Sequence, residues 1–417
     1  DGSSSEWKLD YDNKYYTDYI YYDISGLLWK ESLPYCKSQG ETPQYIEYVY
    51  DIYDRILTIT KPDGSNLSNR YSDNTLITTN FDGQQKTTTY HPLGKPYSIR
   101  DNENTTINYE YYGDGNIKST IVNDNEKTRV TYTYDANGFP TSINDPSLGL
   151  RTYSYNAFGE LLSETNPDAT TTNYIYAPIG RMVRRTDDDG TTLWIYDNQI
   201  KGFLSHLQYT PTDDNAPNVV ENYSYDRLGR LRNHTQSLEG KPNLSLSYDY
   251  NEWGLQNFIT YPTGYKVAYK YDYNGFVTSV ENALTEDVVW KAESMDKFGN
   301  VTNFTLGDNL SVSNSYNNIT GLIENQSAER IGDYVVTKIQ DIDYSWDNKG
   351  NLTSRQSIIG LQENFQYDNF NRLTKAITNG RTYSITYSNL GNILNKTSIG
   401  NMYYNNNNPY ALVKVID

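Results

Sequence analysis

The sequence predicts an all-β fold: antiparallel β-hairpin repeats laid side by side in a ribbon that curls or spirals. Three observations predict it. A block Tyr-Asp-x-x-Gly-x-hydrophobic recurs along the 417 residues at a spacing near 21, and a fixed short period is the mark of a repeat architecture. Between the blocks, apolar and polar residues alternate, and the runs end in Asx-Gly pairs, the strongest short hairpin cue. Helical periodicity is hard to find anywhere.

Residues 1–49 read as an atypical N-terminal portion holding the first unit, centred on Gly26. Residues 50–400 read as the repeat array, and residues 401–417 as its continuation. Well-formed copies in the array centre on Gly94, Gly115, Gly138, Gly159, Gly180, Gly202, Gly229, Gly254, Gly275, Gly299, Gly321, Gly350 and Gly391. Degenerate copies place Asp54, Asn74 and Asn371 at the anchor, for about 17 units in all. Gly94 to Gly115, Gly138 to Gly159, Gly159 to Gly180 and Gly254 to Gly275 are each 21 residues apart. Gly202 to Gly229 and Gly321 to Gly350 stretch to 27 and 29, and such insertions map to loops.

Gly, Asn and Asp are the residues that tolerate a positive φ, so the anchor is expected in a left-handed turn position. The Asp of the block (Asp135, Asp226, Asp272, Asp347, Asp368) suits the first turn position, where its carboxylate accepts from the backbone two residues on. The residues taken as the structural signature are Tyr134, Asp135, Gly138, Tyr155, Gly159, Tyr225, Asp226, Gly229, Tyr271, Asp272, Gly275, Trp346, Asp347, Gly350, Tyr367 and Asp368. A second turn lies between anchors, at Asp63-Gly64, Asp82-Gly83, Asp189-Gly190, Thr263-Gly264 and Asn379-Gly380. The runs joining the turns, such as Thr382–Tyr387 and Tyr265–Tyr271, are rich in Tyr, Thr and Val, which suit a pleated, half-buried surface. Each unit is therefore two antiparallel strands and two turns.

Composition fits a thin sheet. Leu, Ile and Val are sparse, and 43 Tyr replace them. Tyr offers an apolar face with a polar tip, as a sheet with one aromatic layer and one wet face requires. The formal net charge of −17 argues against nucleic acid and against anionic membrane. Asp187-Asp188-Asp189 reads as a solvated turn rather than a calcium site. The single Cys36 permits no internal disulfide and reads as a buried free thiol. No run of 18 apolar residues exists to span a bilayer as a helix, and no stretch reads as a signal peptide. The chain opens at Asp1-Gly2-Ser3 and stops at Val415-Ile416-Asp417 without an obvious cap, and reads as a piece of something longer.

No enzyme chemistry stands out. His91, His206 and His234 are far apart, and His91 replaces the Asp of a repeat block. There is no G-x-S-x-G elbow, H-E-x-x-H or P-loop. Asp145-Pro146 followed by Gly149-Leu150 reads as a turn. A glycosidase would need two carboxylates converging on a cleft, and 52 acidic residues spread over all copies nominate no pair. Trp253, Trp290 and Trp346 sit in or beside repeat blocks and read as members of the aromatic layer, with stacking on sugars as the alternative. No cofactor, no metal and no catalytic residue is assigned.

The blocks YDRLGRL (Tyr225 to Leu231), YDNFNRL (Tyr367 to Leu373), YDANGF (Tyr134 to Phe139) and WDNKGNL (Trp346 to Leu352) resemble YD repeats. These define the Rhs family, the C-type subunits of insecticidal toxin complexes, and teneurins. The resemblance runs from about Tyr21 to Asn395. Tyr50 to Gly64, Tyr155 to Asp168, Tyr176 to Thr186 and Asn408 to Val415 resemble bacterial Rhs and toxin-complex proteins in particular. The resemblance implies a YD-repeat shell, an antiparallel ribbon spiralling into a hollow cocoon around a C-terminal toxic polypeptide. Relatives carry an aspartyl self-cleavage motif near the cocoon's end. No match occurs here, and self-processing is not assigned.

Strand spacing gives the scale. About 34 strands at about 4.8 Å make a ribbon on the order of 160 Å across. Open twisted sheets rarely pass about ten strands without curling. One turn of a tube about 50 Å wide would use up that ribbon by the same spacing. The expected function is a non-catalytic structural shell segment of a secreted or cell-surface bacterial protein. Its expected partners are a toxin polypeptide as cargo, neighbouring shell segments and secretion machinery, with no nucleic acid and no membrane insertion. The alternative is an adhesion or glycan-binding module, which predicts exposed Trp or Tyr clusters near residues 206–222 and 328–341.

Overall fold

The computed structural model describes residues 4–8, 14–22, 24–198, 200–307, 309–332 and 335–417. Among them are 38 strands, from Ser4–Lys8 to Leu412–Ile416, and two short 3₁₀ turns, Lys37–Gln39 and Glu126–Thr128. No described residue lies in an α-helix. The strand count exceeds the sequence estimate of about 34 because the N-terminal portion contributes extra short strands. There the strand Lys14–Tyr21 pairs with Ser4–Lys8, with Leu28–Ser32 and with Tyr35–Cys36.

Two compact units can be distinguished. One comprises residues 1–109, 121–126 and 290–417, and the other residues 110–120 and 127–289. Within each, successive strands pair antiparallel with their chain neighbours. In the second unit, for example, Val219–Tyr225 pairs with Leu231–Leu238, which pairs with Leu244–Tyr250, which pairs with Gln256–Thr260. This is a meander, so within a unit the Tyr-Asp turns fall on one edge of the ribbon and the intervening turns on the other.

The pleat sorts side chains by parity. Tyr132 and Tyr134, Tyr153 and Tyr155, Tyr223 and Tyr225, and Tyr248 and Tyr250 share one face, with period two along their strands. The other face is small and polar. There Ser154 and Ser163 hydroxyls meet at 2.7 Å, Asn233 donates to Ser224 at 2.9 Å, and Ser247 donates to Asn233 at 2.7 Å. One sheet layer leaves little to bury. The chain exposes 25488 Å², against roughly 16,000 Å² for a compact monomer of its 47.9 kDa.

One buried cluster is N-terminal, where Tyr15, Thr17, Ser32, Tyr35 and Cys36 are buried. Cys36 is a free thiol there, 3.0 Å from the Ser38 hydroxyl.

Candidate functional site

No group of His, Cys, Asp and Glu side chains among the described residues could hold a metal ion. The recurring constellation is the joint between repeats, and Asp226 shows how it is built. Its carboxylate accepts the N–H of Leu228 at 2.9 Å and of Arg230 at 3.0 Å, and the Arg230 Nε at 2.7 Å. Gly229 N–H donates to the Asp226 carbonyl, and Asp226 N–H donates to the Arg230 carbonyl. Gly229 has φ 80°, which closes a type I turn with a glycine bulge. The two backbone N–H contacts recur at Asp135, Asp272, Asp347 and Asp368. His91 fills the Asp position through Nδ1, which accepts from Leu93 N–H at 3.3 Å.

All fourteen anchor glycines have positive φ, as do Asp54 and Asn371. Asn74 does not. The strands Asn66–Ser72 and Thr75–Thr79 are joined by only two residues, and Asp73 takes the positive φ of 48°. That unit has a tight two-residue turn, too short for the five-residue Tyr-Asp turn.

The register shifts at the block tyrosine in unit after unit, for example between Ser224 and Tyr225 and between Asp249 and Tyr250. Pairing of Leu231–Leu238 with the next strand starts only at Asn233. The carbonyl of Leu231 therefore has no ladder partner on that side. The Tyr250 hydroxyl donates to it at 2.8 Å. The same bond runs from Tyr225 to Leu204, Tyr271 to Gln256, Tyr367 to Leu352, Tyr387 to Leu373 and Tyr404 to Ile393. Trp346 replaces the phenol with its indole N–H, 2.6 Å from the Ile323 carbonyl. In each case the acceptor lies two residues after the preceding anchor. The block aromatic is thus a donor that reaches back and ties one repeat to the one before.

The residue after the anchor completes the joint. Arg230, Arg372 and Arg55 lie over Tyr250, Tyr387 and Tyr71 at 4.4, 4.3 and 3.9 Å while paired with their own turn Asp. In other units Phe replaces Arg: Phe139 stacks on Tyr155 at 5.3 Å and Phe203 lies 4.9 Å from Tyr225. These rings crowd the next turn, since a Cβ on Gly159 or Gly229 would sit 2.5 Å from Phe139 or Phe203. Burial pushes the hydroxyls of Tyr134, Tyr155, Tyr225, Tyr250, Tyr271 and Tyr367 upward from the usual phenol range. At Tyr174, burial and a hydrogen bond to Glu164 raise it to about 12. Asp197, held by the Arg181 guanidinium and the Gly202 N–H, is lowered to about 2.

A second arrangement occurs in the unit that contains both chain ends. The Asn369 carbonyl accepts from Gln84, the Asn369 amide donates to Glu103 at 2.6 Å, and the Asn389 carbonyl accepts from Thr105 at 3.5 Å. These partners are 285, 266 and 284 residues apart. Asn369 and Asn389 lie in Tyr-Asp turns, whereas Gln84, Glu103 and Thr105 lie in the intervening turns. A seam therefore joins one edge of the ribbon to the opposite edge of a distant stretch.

The other singled-out residues resolve locally. Asp187 caps its own turn and pairs with Arg185 at 2.5 Å. Asp145 accepts from Ser147 at 2.6 Å in the turn that Gly149 closes. His234 stacks on Tyr223 at 4.8 Å and meets Glu221 at 3.2 Å, and His206 bonds Asn222 at 2.8 Å. Trp290 packs 6.3 Å from Phe304. Trp253 does not join an aromatic layer: it stands at the tip of a turn, 76 % exposed. The expected aromatic clusters in the insertions are absent among the described residues. Residues 204–225 form a hairpin whose Tyr209 hydroxyl bonds the Asp189 carbonyl, and the hairpin Ile323–Ile331 and Val336–Trp346 exposes Ile331, Val335 and Val336 instead. Tyr334 lies outside the described residues.

Hairpins with bulged Asx-x-x-Gly turns, interlocked by block tyrosines, define a YD-repeat protein. Family models agree: the RHS Repeat matches residues 134–171 and 155–192, and the Teneurin YD-shell matches residues 210–283. The chain carries repeats of the Rhs and YD-shell type over residues 134–192 and 210–283. Its fold is similar to the crystal structure of TcdB2-TccC3-Cdc42, with a TM-score of 0.81 and 13% identity over 99% of this chain and 26% of that one. TcdB2-TccC3-TEV gives a TM-score of 0.80 and 14% identity, over 96% of this chain and 25% of that one. The Photorhabdus luminescens Tc holotoxin pore with a TccC3 mutation gives a TM-score of 0.67 and 13% identity, over 99% and 25%. The chain thus spans about a quarter of the length of these structures. No curated protein sequence matches it.

Proposed function

We propose that this chain is a wall segment of a YD-repeat shell that encloses a polypeptide cargo, such as a toxin, and that it does no chemistry of its own. The observation that carries this reading is a fold likeness over 99% of the chain to a TcdB2-TccC3 structure, a protein named with the Tc toxins. The block signature supports it, because Tyr, Asp and Gly at each joint serve to hold hairpins in line. Secretion or display at a cell surface fits the same comparison, since the Photorhabdus relative is a holotoxin pore. No described helix is long and apolar enough to cross a membrane. Neighbouring shell segments and secretion machinery are further partners on this reading.

Protease protection tests it. A flexible reporter peptide fused to the chain and co-folded with it should resist protease while the same peptide added in trans is cut. Equal cleavage of both, with the chain itself intact, would remove the encapsulating role. Glycan or receptor binding is the second reading, and the exposed indole of Trp253 favours it. A glycan array in which Trp253→Ala abolishes every hit would support that alternative.

A further inference from the structure

We propose that the Tyr-Asp turn edge of the second unit is a docking rail for the opposite edge of another copy of this chain. The inference rests on the YD-repeat fold and deepens the shell reading by naming how two ribbons would join. Phe158, Ile179, Leu228 and Trp253 each precede an anchor glycine on that edge and are 89, 71, 70 and 76 % exposed. Hairpins repeat every two strands, so adjacent rail positions are about 10 Å apart. Lys201 takes the position between Ile179 and Leu228.

The seam in the first unit shows what covers such an edge. There the equivalent turn residue is Phe370, and it is only 38 % exposed. Its neighbours Asn369 and Asn389 are met by Gln84, Glu103 and Thr105 from the opposite kind of edge. Both edges occur in every copy, so one copy can present to another what the seam already joins within one chain. Contact between unlike edges is heterologous, so it extends beyond dimers rather than closing on a twofold axis. The charge of −17 on each copy opposes the approach, and salt screens it.

Sedimentation velocity of the whole chain over a concentration series, at low and at 0.5 M salt, tests this. Self-association should rise with concentration and with salt. Phe158→Asp with Trp253→Asp should weaken it at least tenfold. Asp and Asn already occupy that turn position at Asp114 and Asn137, so circular dichroism should show the variant folded. Ile175→Asp, exposed on the sheet face next to a rail turn but not at its tip, should associate like the parent. A chain monomeric at every concentration and salt, a rail variant that associates normally, or an equal loss in Ile175→Asp would each overturn the proposal. A monomer that still protects the fused reporter peptide would leave the shell reading intact.

Discussion

Tyr250 carries a donor, an apolar ring and a cation partner in one side chain, and its hydroxyl is the component most easily isolated. Tyr250→Phe keeps the ring under Arg230 and strands the Leu231 carbonyl. It should cost about 1 kcal/mol in urea unfolding, and Tyr367→Phe the same. Tyr265→Phe, on an exposed ring, should change nothing. The glycines separate two further effects. Gly275→Ala meets only Leu255 at 3.6 Å and carries the cost of a positive φ, roughly 1–2 kcal/mol. Gly159→Ala and Gly229→Ala also strike a Phe ring at 2.5 Å, adding about 1–3 kcal/mol. Equal costs at Gly159 and Gly275 would show that ring crowding is not felt. Titration follows the same side chains. Asp197 has its carboxyl depressed, so its contribution is present above about pH 4 and is lost as pH falls towards about 2. The stability gap between the parent and Asp197→Asn should therefore close on acidification. Tyr174 is raised, so its contribution holds below about pH 10 and is lost as pH rises through about 12. Phenolate absorbance at 295 nm should lag free tyrosine and rise together with loss of near-ultraviolet dichroism.

Hairpins are the elements, and the seam is where two stretches of them meet. Register inside a hairpin is set by the bulge at each Tyr-Asp turn and by the parity of the Tyr face. Register across the seam is set differently. Gln84 and Thr105 are one repeat apart, and so are Asn369 and Asn389, so those two bonds alone would tolerate a slip of one unit. The Asn369 amide on Glu103 adds a second contact to the same turn. A double-mutant cycle of Asn369→Ala and Glu103→Ala should show a coupling of about 0.5–1 kcal/mol. Hydrogen exchange should quicken in the strands 362–378 and 85–100 together. Additive effects would mean that the seam is contact without cooperation.

At the scale of the whole molecule, nearest-neighbour pairing predicts loose cooperativity. Each hairpin contacts mainly its chain neighbours, and stability accrues joint by joint. Denaturant unfolding followed by backbone dichroism and by tyrosine fluorescence should give non-coincident transitions, with a slope shallow for 417 residues. A single sharp transition by both probes would show that the seam and the N-terminal packing couple the repeats more strongly than pairing alone.

Much of this was legible residue by residue. Period, turn positions, alternation and the left-handed anchors follow from local chemistry, because a positive φ favours Gly, Asn or Asp at the anchor. Asn74 misled because spacing alone cannot tell a two-residue turn from a bulged one. Trp253 misled because turn tips and aromatic layers draw on the same residue type. What the sequence alone determined is the hairpin and its repetition, since those depend on residues a few positions apart. Only the tertiary structure decided that the block hydroxyl seeks the carbonyl two places beyond the previous anchor, and that Asn369 meets Glu103. The first depends on the bulge that leaves that carbonyl without a ladder partner, the second on how curvature accumulates over many strands, and no local pattern encodes either.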